Sequence, residues 1–140
     1  NNNGIKPESV DFLSIDVDGC DLEIFEEINF QPKVVLLEGG LHFKPEIEGR
    51  ATAKVRNTFH HPLKEIINTV KHFEYVPVCF LHDLYLVRKD LSKQFNKFDV
   101  DQLYADSYLG APKWLRKKMD DAKTNKIIEK EQNRLLANKR

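Results

Sequence analysis

Three carboxylates, Asp16, Asp18 and Asp21, surround Gly19 in the stretch "SIDVDGCDLEIF", at the joint between an apolar run and a helical one. A fourth, Glu38, closes the apolar run "KVVLLE". Carboxylate oxygens are hard ligands, and two or three of them at one point can hold a divalent cation. Like charges held close can instead raise one pKa and make a general base. The plainer use is local: Asp18 or Asp21 can cap a helix and otherwise stay solvated. His42 follows Glu38 by four residues and can reach substrate or metal, or sit at the surface. The pair His60-His61 is a weak metal signal, and His72 and His82 read as surface or turn residues. Lys44, Arg50, Lys54 and Arg56 can attract an anionic substrate or remain solvated.

The elements that must position these residues follow from periodicity. "SVDFLSID" (9–16) is expected as a strand, "DLEIFEEI" (21–28) as a helix, and "KVVLLE" (33–38) as a strand buried on both faces. Together they form a right-handed βαβ unit. Neighbouring strands lie about 4.8 Å apart, so Asp16 and Glu38 should meet at the carboxyl edge of the sheet. Asp21 can cap the first helical turn, and Gly19 permits a backbone shape or close approach that other residues resist. The segment 39–61 is long and aperiodic. "PLKEIINTVKHF" (62–73) reads as a helix opened by proline. "YVPVCFL" (75–81) and "LYLVRKD" (84–90) read as an antiparallel hairpin with only His82 and Asp83 between them. Pro77 lacks an amide donor, which assigns its strand to a sheet edge. The expected architecture is a mostly parallel sheet with its last strand reversed. Residues 92–111 form an aromatic-rich, irregular connection, and 112–140 a long, mostly solvated helix with a thin stripe of Leu115, Met119, Ala122, Ile128 and Leu135.

Charge separates the body from the tail. Residues 112–140 carry ten Lys/Arg and four Asp/Glu, a net of +6, and residues 1–111 carry the balancing −6. No apolar run is long enough to span a membrane. The start "NNNGIKPES" has neither the basic nor the apolar region of a signal peptide. Cys20 and Cys79 match no metal spacing, so a cytoplasmic chain with reduced thiols is expected.

"VDFLSIDVDGCDLEIF", followed by "PKVVLLEGG", resembles the FkbM-type family of S-adenosylmethionine-dependent methyltransferases, and "HFEYVPVCFLHDLYLVRKDL" is similar to that family's terminal hairpin. The resemblance covers roughly residues 5–91. It implies an α/β, Rossmann-like sheet ordered 3-2-1-4-5-7-6 with strand 7 antiparallel. Residues 1–91 would be the C-terminal half of such a domain, contributing strands 4, 5, 6 and 7 with the antiparallel terminal hairpin, followed by the C-terminal helix. The glycine-rich cofactor loop and the acidic ribose-binding residue have no counterpart here, and no G-x-G occurs in the sequence. The implied activity is O-methylation of a sugar or another hydroxyl-bearing small molecule. Asp16, Asp18 and Glu38 would be the catalytic residues, or would share a divalent cation. Gly19, Asp21 and His42 would line the acceptor side.

Two other readings compete. "SIDVDGCD" also resembles the first motif of haloacid-dehalogenase-like phosphatases, with Asp16 as nucleophile, Asp18 as general acid and Mg²⁺ as cofactor. The only adjacent Asp pair downstream, Asp120-Asp121, lies in the basic tail. A calcium loop of the D-x-D-x-D-G kind is excluded because Gly19 comes too early. The third reading is a non-catalytic, truncated domain. Its basic tail, with Trp114 beside Lys113 and Arg116, would bind a protein partner or RNA.

Overall fold

The computed structural model describes residues 6, 9–40, 42–52, 54–55, 58–59, 61–110, 113, 117 and 122–138. Its elements are β1 (Phe12–Ile15), α1 (Asp21–Glu27), β2 (Val34–Glu38), β3 (Lys54–Val55), β4 (Thr58–Phe59), α2 (Leu63–His72), β5 (Tyr75–Phe80), β6 (Asp83–Arg88), a 3-10 segment (Lys89–Gln94), α3 (Val100–Gly110) and α4 (Ala122–Ala137). The class is α/β. Four strands form one sheet in the order β1-β2-β6-β5, and β3 and β4 form a separate ribbon inside the long segment after β2.

The sheet is mixed rather than mostly parallel. β1 and β2 pair in parallel, with Ile15 opposite Leu37. β6 runs antiparallel to both of its neighbours, β2 and β5. β5 therefore points the same way as β1 and β2, and the carboxyl ends of these three strands share one edge. Pro77 lies in β5, which pairs only with β6 among the described residues, and the ladder is irregular between Pro77 and Cys79. A strand that lacks a donor fits the edge, where one side needs no partner.

The register sorts the side chains by face. Ile15, Val35, Leu37, Leu84, Leu86, Tyr75 and Phe80 share one face and are buried. Leu22 and Phe25 of α1 and Leu63, Ile66, Ile67 and Val70 of α2 complete that core. Full burial of each large apolar side chain contributes about 1.5–3 kcal/mol. Phe25 meets Phe73 and Tyr75 edge-on, at ring separations of 5.2 and 5.7 Å. This pins α1, and with it the turn before α1. The other face of β2, with Val34, Leu36 and Glu38, is only half-buried. The expectation of burial on both faces is met on one.

One expectation from the second half of the chain is corrected. Residues 100–110 are not irregular but helical. Asp99 Oδ1 accepts the Gln102 N–H at 2.8 Å, which starts α3, and Leu103 is buried in the main core. Ser107 Oγ donates to the Leu81 carbonyl at 2.5 Å. The described part of the tail helix is mostly exposed, as expected, and Ile128 and Leu135 of its stripe are buried. Ile128 and Leu135 of α4 join Phe43, Ile47 and Ala51 in a second, smaller core. Glu131, buried despite its charge, accepts the Thr52 N–H at 2.6 Å, and Arg134 donates to the Arg50 carbonyl at 2.9 Å. Leu115 and Met119 of the expected stripe lie outside the described residues, as do Trp114, Arg116, Asp120 and Asp121.

Candidate functional site

The acidic turn forms because β1 stops at Ile15 and α1 starts at Asp21. In the turn between them Asp18 takes a left-handed backbone with φ of 56° and Gly19 a φ of 148°. Aspartate tolerates the left-handed region better than most residues, and glycine freely adopts positive φ. The Asp21 carboxylate closes the turn by accepting the Val17 N–H on Oδ1 and the Gly19 N–H on Oδ2, both at 3.0 Å. Asp21 is itself buried. The anticipated helix cap is thus a clamp on the preceding turn, and the N-cap residue, Cys20, makes no side-chain cap.

One carboxylate oxygen each from Asp16, Asp21 and Glu38 lies within 4.8 Å of the other two. The expected meeting of Asp16 and Glu38 at the strand edge is therefore present, with a change in the third member. Asp21 takes the place assigned to Asp18. A strand continuing past Asp16 would have kept Asp16 and Asp18 on one face. The turn breaks that alternation and brings Asp21 back instead. Asp18 stays exposed and acts on the cluster through its charge.

Glu38 records the crowding. Its pKa is pushed up to about 7, first by burial, then by the negative charges of Asp21, Asp16 and Asp18, with His82 pulling it down. His82 stands in the β5–β6 turn, at the edge where β1 and β2 also end. Its pKa is raised, chiefly by the hydrogen bond to Asp83 at 3.2 Å, while burial opposes the rise and the charges of Asp83, Glu38 and Asp16 support it. Asp83 pairs in register with Glu38. His82 and Asp83 thus join the site, although the spacing of the sequence placed them only in a turn. The available signal was strand direction: a β5 parallel to β2 must deliver its turn to the same edge.

Chemically, the edge offers three carboxylates, one of them poised to exchange a proton near neutrality, and the His82 imidazole. Three oxygens no more than 4.8 Å apart can flank a hard cation, for which metal–oxygen distances of about 2.4 Å are ordinary. The same crowding equally suits a general base.

The glycines after Glu38 bear on the question of a cofactor. A Cβ on Gly39 would stand 2.1 Å from the Phe80 ring, and one on Gly40 would stand 1.7 Å from the His61 carbonyl oxygen. Here glycine serves close packing and leaves no open cradle for a phosphate or nucleotide.

His42 is half-buried within the turn closed by the Phe43 N–H on the Gly40 carbonyl at 3.2 Å. Arg50 is engaged by three glutamates. It binds Glu26 at 2.6 Å, Glu65 at 3.2 Å and Glu23 at 3.4 Å, tying α1 and α2 to the segment that holds α4. His61 is buried against Glu23. His60, Arg56 and the side chain of Lys54 lie outside the described residues. Cys20 and Cys79 are both free thiols. Among the described residues no helix is long and apolar enough to cross a membrane.

No family model, curated protein or solved structure matches the chain.

Proposed function

We propose that this chain is the C-terminal part of an S-adenosylmethionine-dependent methyltransferase domain of the FkbM type, and that the carboxyl edge of its sheet receives a hydroxyl-bearing acceptor. The strand order carries this reading. A sheet ending 4-5-7-6 with strand 7 reversed is compatible with the observed β1-β2-β6-β5 with β6 reversed. The motif residues Asp16 and Glu38 close the strands that would be numbers 4 and 5.

The residues of this chain do not fit the cofactor itself. It has no G-x-G, and Phe80 and His61 fill the space at Gly39 and Gly40. Binding of the cofactor is accordingly assigned to residues other than these, and the donor set here fits the acceptor. S-adenosylmethionine would supply an electrophilic methyl group. On the acceptor side, exposed Asp16 orients the hydroxyl and Glu38 takes its proton, a task suited to a carboxyl titrating near 7. Buried Asp21 fixes the turn that places Asp16. A divalent cation held by Asp16, Asp21 and Glu38 is a second use of the same oxygens, and would orient the hydroxyl in place of a free carboxylate. A cytoplasmic location fits the two free thiols.

The test is methyl transfer from labelled S-adenosylmethionine to sugars and other hydroxyl acceptors, using the full polypeptide that carries this chain. Asp16→Asn should lower turnover by roughly 10²–10⁴-fold, the range for loss of an acid–base or orienting group, with the fold retained. Turnover equal to wild type would remove Asp16 from the mechanism.

A further inference from the structure

We propose that the outer edge of β1 is a self-pairing surface, on which a second copy of this chain adds its own β1 antiparallel about a two-fold axis. Among the described residues β1 pairs only with β2. The Asp11 carbonyl accepts the Val34 N–H at 3.0 Å, and backbone groups alternate in direction along a strand. Asp11, Leu13 and Ile15 therefore turn their backbone groups to β2, while the N–H and C=O of Phe12 and Ser14 face outward. A row of such groups is complementary to one kind of occupant, another extended backbone.

The two edges of the sheet are built differently. In β5, the far edge, Pro77 has no amide donor, the ladder is irregular between Pro77 and Cys79, and α3 packs against the strand. Among the described residues β1 has none of these guards. Pairing β1 with β5 of another copy would build an open fibre, and the guards on β5 oppose it. Pairing β1 with β1 uses one edge of each copy and closes at two.

The side chains around the edge are self-complementary. α1 touches β1 and β2, and α2 rests on β5. Ile24 and Glu26 stand about 100° to either side of buried Phe25. Glu26 meets Arg50 on the flank towards α2, so Ile24, the middle residue of α1 and 41% exposed, overhangs the flank beyond β1. A two-fold axis normal to the sheet, passing between the two Leu13 residues, keeps both copies of α1 on one face. With strands about 4.8 Å apart, helices centred over the gap between β1 and β2 would lie about 10 Å from each other, a packing distance for helices, with Ile24 against Ile24. Beneath them half-buried Leu13 meets its copy in the closer, non-hydrogen-bonded kind of pair. In the same register Phe12 of each copy exchanges hydrogen bonds with Ser14 of the other. On the opposite face Phe12, 55% exposed, lies diagonal to its copy at a spacing that aromatic rings bridge. Charge does not oppose the pairing. Asp11, already bound to Lys33 at 2.8 Å, falls opposite Ile15, and Asp16 falls opposite Val10.

Sedimentation equilibrium of the 140-residue chain tests the surface. The inference is independent of the methyltransferase reading, in which a strand of a longer polypeptide would compete for this edge, so the chain is measured by itself. It should reach a dimer and go no further. In a mixture of ¹³C-labelled and unlabelled chain, a filtered NOE should join the α-protons of Leu13 in the two copies, the short contact of a non-hydrogen-bonded antiparallel pair. Ser14→Pro removes an amide that the monomer leaves outside the ladder, and should give a folded monomer. Ile24→Lys, at a position exposed in the monomer, should weaken association by about tenfold or more with the circular dichroism of the fold unchanged. The proposal is overturned if the chain stays monomeric or grows beyond a dimer. It is also overturned if a dimer forms without the Leu13 contact, or if neither substitution weakens it.

Discussion

Replacing Glu38 by glutamine should stabilise the protein, and only above mildly acidic pH. The carboxyl is raised from 4.5 to about 7 by burial and by Asp21, Asp16 and Asp18. Between these values the folded chain holds a proton that the unfolded chain has released. Stability therefore falls as pH rises through that window, and the full penalty is present above about 7. At about 1.4 kcal/mol per pKa unit the shift corresponds to roughly 3.5 kcal/mol. Glu38 is only half-buried, and solvent screening reduces the figure to about 1–2 kcal/mol. Glutamine keeps the shape and removes the charge. His82 also loses its stabilising contribution as pH rises through its own raised pKa, so the informative quantity is the difference between variant and wild type, not either curve alone. Chemical denaturation of both proteins across the window should give nearly equal stabilities at the acid end and a lead of about 1–2 kcal/mol for Glu38→Gln at the alkaline end. A glutamine variant that is less stable above neutrality, or a difference that does not change with pH, would refute the idea that these carboxylates crowd one another.

Glu74 ends α2 in the left-handed region with φ of 61°, and its ion pair with Lys89 is exposed, so Glu74→Gly should raise stability by about 0.5–1 kcal/mol in the same denaturation assay. Tyr75 donates its hydroxyl to the Pro32 carbonyl at 2.7 Å, and burial lifts its pKa to about 12. Tyr75→Phe should cost about 1–2 kcal/mol, and spectrophotometric titration should find one fewer late-titrating phenol. Gly40→Ala must push the His61 carbonyl aside and should cost about 3 kcal/mol or more, seen as loss of cooperative unfolding or of soluble protein.

What the sequence disclosed and what it concealed have a common physical basis. The strands, α1 and α2 were legible because apolar periodicity and proline act locally. Asp16 and Glu38 were legible because strand spacing in a parallel pair leaves little choice of position. Asp21 was misassigned because its role depends on a chain reversal that no periodicity records. His82 and Asp83 reached the site through the direction of β5, a consequence of the hairpin that the spacing of these residues alone does not show. α3 went unread because Leu103 and Ser107 face inward from a helix whose apolar stripe is faint. The docking of α4 was hidden for a related reason. A charged helix looks solvated until Thr52 and Arg134 show that Glu131 is turned inward.

The most direct test of the methyltransferase assignment is to read the coding sequence immediately upstream of Asn1. Roughly half a domain is expected there, opening with a strand that ends in an acidic-x-Gly-x-Gly loop, to supply the remaining strands and the cofactor site that this chain's residues do not fit. An upstream sequence with no such loop, or one encoding an unrelated domain, would leave Asp16 and Glu38 without a methyl donor to serve and would contradict the assignment.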